Sequence, residues 1–158
     1  MIRIGNAYDT HRFESGRDLI LGGVKVDYPL GLAGHSDADV VLHAIANAFL
    51  GSLALGDLGT HFPDTAESTL NMDSKVILKE CYKMVLDRGY HLVNLDVMIF
   101  AEKVKISPIR EAIRQNVADI LSTSIDNISI KATTGEKIGY IGRNEGISCE
   151  ATLLIESN

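Results

Sequence analysis

The sequence contains no tryptophan, only two cysteines and only three prolines among 158 residues. Cys81 and Cys149 show no C-x-x-C spacing and have no neighbouring ligand residues, which predicts two reduced core residues rather than a cysteine metal site. The prolines are widely separated, so no proline-rich linker divides the chain. We therefore predict one domain over residues 1–158, an ordinary length for a single hydrophobic core.

Long apolar runs and clustered positive charge are missing as well. No stretch approaches the roughly 20 apolar residues that span a bilayer, so we expect no membrane partner. The formal net charge is −6, and the scattered basic residues indicate no nucleic-acid partner. The N-terminus has neither a signal nor a transit pattern, which predicts a bacterial cytoplasmic protein, or a plastid-type organelle protein whose transit peptide was removed. An acidic protein that binds phosphates must supply positive charge locally, through metal ions, helix N-termini and backbone N–H groups.

Helical and strand periodicities alternate along the chain. Residues 2–9 alternate as a strand, and residues 19–26 indicate a hairpin that turns at Gly22-Gly23. Further strands are predicted over 92–100, 127–133 and 147–155, and helices over 37–54, from Asp73 or Ser74 to Leu86, and from Ser107-Pro108 onward. We therefore predict an α+β fold in two layers, with a mixed four-stranded main sheet packed on helices and a small N-terminal hairpin.

A predicted strand and a predicted helix supply the first candidate site. Asp9 and His11 are two residues apart, so in a strand both side chains point to one face, about 7 Å apart, and can converge on one ion. Taken alone, the pair is more typical of an Asp and a His at a strand end. His43 lies inside the helix as a ligand, a hydrogen-bonded core histidine or a chance histidine on the helix face, and taken alone a core histidine is the most typical of these. Together the three would make a catalytic zinc site with an open position, beside the helix N-terminus at Gly34-His35-Ser36-Asp37.

Two further segments offer polar groups. In Lys131–Lys137 a strand gives way to a turn whose hydroxyls and N–H groups can cradle a phosphate, and Glu136 can hold a cation such as Mg²⁺. Taken alone, that segment is more typical of an ordinary polar turn. Residues 57–71 are predicted to form a long surface loop, a candidate lid. Its residues 57–65 either grip sugar or polyol hydroxyls or form a structured Ω-loop.

Five blocks of residues, in order and at compatible spacing, cover essentially the whole chain. They are Arg3-Ile4-Gly5 through Asp9-x-His11; Gly34-His35-Ser36-Asp37-Ala38-Asp39-x-x-x-His43-Ala44; Ala54-Leu55-Gly56-Asp57-Leu58-Gly59 with Phe62-Pro63-Asp64-Thr65; Lys131-Ala132-Thr133-Thr134-x-Glu136-Lys137; and Gly142-Arg143-x-Glu145-Gly146. Together these blocks resemble the 2-C-methyl-D-erythritol 2,4-cyclodiphosphate synthase family of the non-mevalonate isoprenoid pathway. Two positions depart from its pattern: Lys103-Val104-Lys105 stands where Ala-Pro-Lys is frequent, and Gly135 where a third Thr is common.

The resemblance implies a homotrimer with active sites between adjacent subunits and a small-molecule substrate. It implies one zinc ion per subunit on Asp9, His11 and His43, and a second divalent cation, Mg²⁺ or Mn²⁺, on Glu136. His35 and Thr134 would have catalytic roles, positioning and stabilising the reacting phosphates. The implied substrate-binding residues are Ser36, Asp57, Leu58, Gly59, Phe62, Pro63, Asp64, Thr65, Ala101, Lys105, Ile106, Ser107, Thr133, Tyr140 and Arg143.

The implied reaction is an internal phosphoryl transfer, performed by a phosphorus-oxygen lyase. The 2-phosphate of 4-diphosphocytidyl-2-C-methyl-D-erythritol 2-phosphate attacks the β-phosphorus of the cytidine diphosphate arm, closing a cyclodiphosphate ring and expelling CMP. Because the phosphates repel each other, cations must neutralise them while the protein fixes in-line geometry, and no protein nucleophile is required.

The residues alone leave three alternative interpretations open. Arg143 and Glu145 resemble residues near the trimer axis, where relatives can enclose an apolar cavity that accepts an isoprenoid diphosphate, but the pair also fits a plain ion pair between subunits. A zinc-dependent phosphohydrolase that attacks with metal-bound water is an alternative enzyme. A trimeric module that senses a metabolite beside a structural metal is the alternative without turnover.

Overall fold

The computed structural model describes residues 1–158, in which strands and helices alternate as the sequence predicts. The strands are β1 (Ile2–Glu14), β2 (Leu19–Leu21), β3 (Val24–Val26), β4 (Gly31–Leu32), β5 (Tyr90–Phe100), β6 (Ile128–Thr133) and β7 (Gly146–Ser157). The helices are α1 (Val40–Ser52), α2 (Leu58–His61), α3 (Ser74–Leu86), α4 (Arg110–Leu121) and α5 (Gly139–Gly142). Short 3₁₀ turns occupy Glu67–Thr69, Ser107–Ile109 and Ile125–Asn127.

The main sheet is mixed, with strand order β4-β1-β7-β5-β6, and β2 and β3 form the separate hairpin. β7 is antiparallel to both β1 and β5, whereas β6 is parallel to β5. The predicted fold class is confirmed, with one correction: the sheet has five strands rather than four. The additional strand, β4, pairs only Gly31 and Leu32 with the end of β1, and two residues are too short to show a period in the sequence.

Burial along β1 alternates strictly, which separates the two faces of the sheet. Gly5, Ala7, Asp9 and His11 are turned toward the helices, whereas the residues between them are exposed. The prediction ended this strand at residue 9, but pairing with β7 continues through Arg12. Asp9 and His11 therefore lie inside the strand, both on the face that α1 covers.

Helix α1 begins at Val40 rather than at residue 37, because Ala38 adopts a left-handed conformation with φ of 57°. The N-cap is Asp39, which is fully buried and accepts the N–H groups of Leu42 at 3.0 Å, Gly22 at 2.9 Å and Gly23 at 2.6 Å. Asp39 thus ties the hairpin to the start of α1. Burial raises its pKa to about 6, even though the three N–H groups favour the charged form.

The starts of α3 and α4 lie close to the positions that the sequence predicts. Asp73 caps α3, as predicted. The Ser107-Pro108 pair does not open α4 directly: it forms a 3₁₀ turn, and the helix starts at Arg110 without a side-chain cap. Both cysteines are free and buried as predicted, and burial raises the pKa of Cys81 to about 12. No helix is long and apolar enough to cross a membrane.

Candidate active site

Asp9, His11 and His43 form a compact cluster at the boundary between β1 and α1. One potential ligand atom from each side chain lies within 4.8 Å of the other two. Nε2 of His11 is 3.0 Å from Oδ2 of Asp9, and Nδ1 of His43 is 3.5 Å from the same oxygen. We call these residues the triad. One carboxylate and two imidazoles converging on one point fit a divalent metal ion, so the candidate triad predicted from the sequence is brought together.

Close contact between β1 and α1 makes this convergence possible. Gly5 lies directly against the helix: a Cβ atom there would be 1.9 Å from the carbonyl oxygen of Ala48. Only glycine allows the strand and the helix to approach so closely. Because His43 lies on the same helix as Ala48, this approach sets the distance between the two elements that carry the triad.

The electrostatics of the triad follow from burial and from its internal hydrogen bonds. Burial acts to raise the pKa of Asp9, but hydrogen bonds from His11 and His43 outweigh it and hold that pKa well below its usual value. Burial acts to lower the pKa of His11, but the Asp9 hydrogen bond and charge outweigh it, so the net shift is upward. The ionised Asp9 carboxylate therefore favours the protonated form of the His11 imidazole.

Each histidine has a partner on the ring nitrogen that faces away from Asp9. Nδ1 of His11 is 2.7 Å from the carbonyl oxygen of Ala33, which only accepts, so this nitrogen carries a proton and Nε2 is the ligand atom. Nε2 of His43 is 2.8 Å from Oγ of Ser74 and 3.1 Å from Oγ of Ser36. The sequence predicted Ser74 only as a possible helix start and gave it no role in the site, because it lies 31 residues from His43 and only the fold brings the two together.

The triad lines a cavity of about 240 Å³. Besides the triad, the lining contains six residues of the predicted site, which are His35, Ser36, Leu58, Gly59, Phe62 and Asp64. The structure adds Gly34, Asn47, Thr69 and Ile77, to which the sequence gave no site role. Asp57, Pro63 and Thr65 belong to the same segment but do not line the cavity. Residues of the first three sequence blocks therefore line one cavity, and α1 connects the second block to the third.

The segment after α1 is more ordered than its composition suggests. Asp57 caps α2 by accepting the N–H of Thr60 at 3.0 Å and its hydroxyl at 2.9 Å. Oδ1 of Asn47 accepts the N–H of Leu58 at 2.8 Å and so fastens the segment to α1. A helix of four residues is too short to produce a period, which is why the sequence indicated only a loop.

The backbone on either side of His35 is held by one guanidinium group. Arg17 donates to the carbonyl oxygen of Gly34 at 2.6 Å and to that of Ser36 at 2.5 Å. His35 itself has Nε2 at 3.0 Å from the carbonyl oxygen of Ala66. A planar guanidinium suits two carbonyls side by side, so Arg17 fixes the peptide that presents His35 and Ser36 to the cavity.

The remaining predicted residues lie outside the triad cavity. They are Ala101, Lys105, Ile106, Ser107, Thr133, Thr134, Glu136, Tyr140 and Arg143. Around Thr134 the chain forms a tight turn, and the carboxylate of Glu102 accepts the N–H groups of Gly135 at 2.8 Å and Lys137 at 3.1 Å. Glu136 and Lys137 are both left-handed, with φ of 51° and 60°. We call residues 133–137 with Glu102 the Glu102 turn; the sequence gave Glu102 no role.

Tyr140 and Arg143 belong to a third group, in α5 and at its C-cap. The hydroxyl of Tyr140 is hydrogen-bonded to the hydroxyl of Tyr8, and it is 2.7 Å from Oγ of Ser148. Arg143 forms an exposed ion pair with Glu145 at 3.0 Å within the same chain. One chain therefore carries the predicted site residues in separate groups rather than in a single pocket.

Comparisons with known proteins show which proteins this chain is similar to. The model of the YgbB family matches residues 2–156. A curated relative from Shewanella denitrificans, named 2-C-methyl-D-erythritol 2,4-cyclodiphosphate synthase, is 52% identical over 98% of this chain and 97% of its own. The CDP complex of IspF from Plasmodium falciparum is 34% identical with a TM-score of 0.88, covering 99% of this chain and 97% of that one. The bifunctional IspDF of Campylobacter jejuni is 37% identical with a TM-score of 0.96 over 100% of this chain, which spans 43% of that longer protein.

Proposed function

Because the chain belongs to the YgbB family, we propose that the triad cavity is the active site of a 2-C-methyl-D-erythritol 2,4-cyclodiphosphate synthase. The enzyme converts 4-diphosphocytidyl-2-C-methyl-D-erythritol 2-phosphate to the 2,4-cyclodiphosphate and CMP. The observation that carries the proposal is the convergence of Asp9, His11 and His43 on one point, in a chain 52% identical to a synthase over nearly its full length. The reaction is a cyclising phosphorus-oxygen lyase reaction in isoprenoid biosynthesis.

Zinc is the metal that the triad suits best. Two imidazole nitrogens and one carboxylate oxygen form the mixed set typical of catalytic zinc, and no thiolate is present to close the fourth position. When bound, the ion would supply positive charge to phosphate oxygens. Asp9, His11 and His43 would hold one zinc per subunit.

The protein's own groups then orient the substrate. Arg17 fixes the peptide from Gly34 to Ser36, so that His35 and the Ser36 hydroxyl face the cavity from one rigid segment. This segment leads into α1, whose N-terminus carries partial positive charge and favours a phosphate nearby. Leu58, Gly59, Phe62 and Asp64, with Asp57, Pro63 and Thr65 behind them, would enclose the methylerythritol part. The 2-phosphate is the nucleophile, so these groups need only hold it in line with the β-phosphorus and exclude water.

The active site would be completed by an adjacent subunit of a homotrimer. The sheet face opposite the helices exposes three apolar or aromatic side chains of β1, Ile2 at 66%, Ile4 at 64% and Tyr8 at 53% of their surface, with the polar Asn6 between Ile4 and Tyr8. Such a face favours burial against another copy of the chain. Since the Glu102 turn lies outside the triad cavity in one chain, a neighbouring subunit is the simplest source of its groups.

In that assembly the Glu102 turn supplies the second half of the site. Glu136 would hold Mg²⁺ or Mn²⁺ on the diphosphate, while Thr133 and Thr134 donate hydroxyls to phosphate oxygens. Ala101, Lys105, Ile106 and Ser107 would contact cytosine. The CDP complex of the Plasmodium falciparum relative supports a cytidine nucleotide as the part to be recognised. Tyr140 and Arg143 would also bind substrate, and Arg143 with Glu145 would lie toward the trimer axis, where an isoprenoid diphosphate remains a proposed ligand.

The test is to incubate protein loaded with zinc and magnesium with the diphosphocytidyl substrate. CMP release is followed together with the phosphorus NMR spectrum of the product. We expect CMP and a cyclic diphosphate in equal amounts; CMP with only linear phosphates would indicate a hydrolase, and no turnover a binding module. His43→Ala should lose zinc and activity, whereas His91→Ala, an exposed histidine paired with Glu156, should keep both.

A further inference from the structure

The serine at the start of α3 has the geometry of a partner for one triad histidine. Ser74 is fully buried, and its Oγ lies 2.8 Å from Nε2 of His43. The same hydroxyl is hydrogen-bonded to Oδ1 of Asp37, and the backbone N–H of Ser74 donates to Oδ2 of Asp37 at 3.0 Å. Both carboxylate oxygens of Asp37 are therefore engaged by one residue.

The direction of these hydrogen bonds follows from the chemistry of the groups. An ionised carboxylate only accepts, so the Ser74 hydroxyl proton must point toward Asp37. Oγ of Ser74 is then left as an acceptor toward His43, and Nε2 of His43 must carry the proton. Nδ1 of His43 is consequently unprotonated in the neutral ring, and it is the nitrogen that faces Asp9, 3.5 Å away.

We propose that Asp37 and Ser74 are positioning residues of the metal site, which fix the tautomer and ring orientation of His43 so that Nδ1 is presented as a ligand. This role presupposes the proposed metal centre. It also links that centre to α3, since Asp37 precedes α1 and Ser74 begins the other helix. Partners of this kind typically change metal affinity by ten- to a hundredfold when they are removed.

Ser36 is a second hydrogen-bond partner of His43, at a longer distance than Ser74. Its Oγ is 3.1 Å from Nε2 of His43 and accepts the N–H of Ala38 at 3.2 Å. As an acceptor from both groups, Ser36 keeps its own hydroxyl proton free for the cavity that it lines. Ser36 alone would leave the imidazole with a longer hydrogen bond, so loss of Ser74 should weaken metal binding without abolishing it.

The experiment compares zinc affinity in Ser74→Ala, Ser74→Thr and Ser52→Ala, measured by competition with a chromophoric chelator. Ser52 is also buried and donates to the carbonyl oxygen of Phe49 at 2.7 Å, but it lies at the far end of α1. We expect S74A to lose ten- to a hundredfold in affinity, S74T to recover most of that loss, and S52A to match the wild type within about twofold. Circular dichroism confirms that each variant is folded.

A second measurement does not depend on the variants. In the metal-free wild type, nitrogen-15 shifts of the neutral His43 ring should show the proton on Nε2. A proton on Nδ1, or wild-type zinc affinity in folded S74A, would overturn the role of Ser74 while leaving the metal centre intact. A wild-type protein that binds no zinc would overturn the metal centre itself, and this role with it.

Discussion

Gly5 and Ala48 touch at the point where β1 crosses α1, and no other residue type fits at position 5. A Cβ atom there would lie 1.9 Å from the carbonyl oxygen of Ala48 and 2.8 Å from its carbonyl carbon. The obstacle is helix backbone, which cannot swing aside as a flexible side chain would. Four residues farther along β1 lies Asp9, so this contact sets the spacing of the triad.

Gly5→Ala should therefore destabilise the fold and weaken the metal site together. Overpacking of this kind costs about 1–3 kcal/mol, occasionally more, and moving α1 outward lengthens the distance from His43 to Asp9. Urea unfolding and zinc titration measure the two effects. Gly51→Ala is the matched control, because a Cβ at this helical position meets nothing within 4 Å. It should be neutral, or stabilising by about 0.5–1 kcal/mol; equal effects of both variants would refute the role of Gly5.

Arg17→Lys tests whether the Arg17 guanidinium positions the peptide around His35. A lysine ammonium is a point donor and cannot bridge the carbonyls of Gly34 and Ser36 as the guanidinium does. We expect kcat/KM to fall about tenfold, since hydrogen bonds from a charged donor contribute roughly 1.5–3 kcal/mol, while zinc content stays unchanged. Arg88→Lys is the control: Arg88 donates to a carbonyl within α3. A kcat/KM of R17K equal to that of the wild type would show that the Arg17 hydrogen bonds do not position His35 and Ser36 for the reaction.

Glu102→Gln tests the Glu102 turn. The carboxylate accepts one N–H on each oxygen, whereas an amide keeps a single acceptor and places an NH₂ group against the other N–H. The turn holds two left-handed residues and should lose its shape, which we expect to raise KM several-fold. Zinc affinity should not change, because the turn lies outside the triad cavity. Glu111→Gln, at an exposed pair with Arg114, should leave KM at the wild-type value; a KM in E102Q equal to that of E111Q would contradict the prediction.

Zinc affinity should rise with pH in a way set by His11. Burial acts to lower its pKa, but the Asp9 hydrogen bond and charge raise it overall, so a metal must displace a proton from the ring up to a higher pH than for an ordinary histidine. The affinity should increase about tenfold per pH unit below that pKa and level off above it. Asp9 adds no slope near neutrality, because its own pKa is lowered and it is already ionised. Chelator competition across the neutral range measures the profile; an affinity independent of pH would show that His11 is not a ligand.

The sequence predicts the triad well because its signals are local. Strand alternation places Asp9 and His11 on one face, and the apolar residues at helical spacing predict the helix that carries His43. The same local rules locate α3 through Asp73. They fail where an element is too short to have a period, as for β4 and α2, and where one backbone angle decides, as for Ala38 at the start of α1.

The residues that sequence reasoning missed act over long separations. Ser74 reaches His43 across 31 residues, and Glu102 reaches Gly135 across 33. Neither carries a motif, since a serine at a helix start and a glutamate after a strand are common. Arg17 and Asn47 likewise act by holding backbone groups of other segments. Only the packing of the elements shows which supporting residue meets which functional one.

The central claim is that the triad serves a reaction whose nucleophile belongs to the substrate rather than to water. The most direct measurement is turnover in water enriched in oxygen-18, followed by mass spectrometry of both products. Attack by the 2-phosphate breaks the bond between the β-phosphorus and the CMP oxygen without using water, so neither product should gain the label. Labelled oxygen in a phosphate group of either product would contradict the account and show that the site activates water.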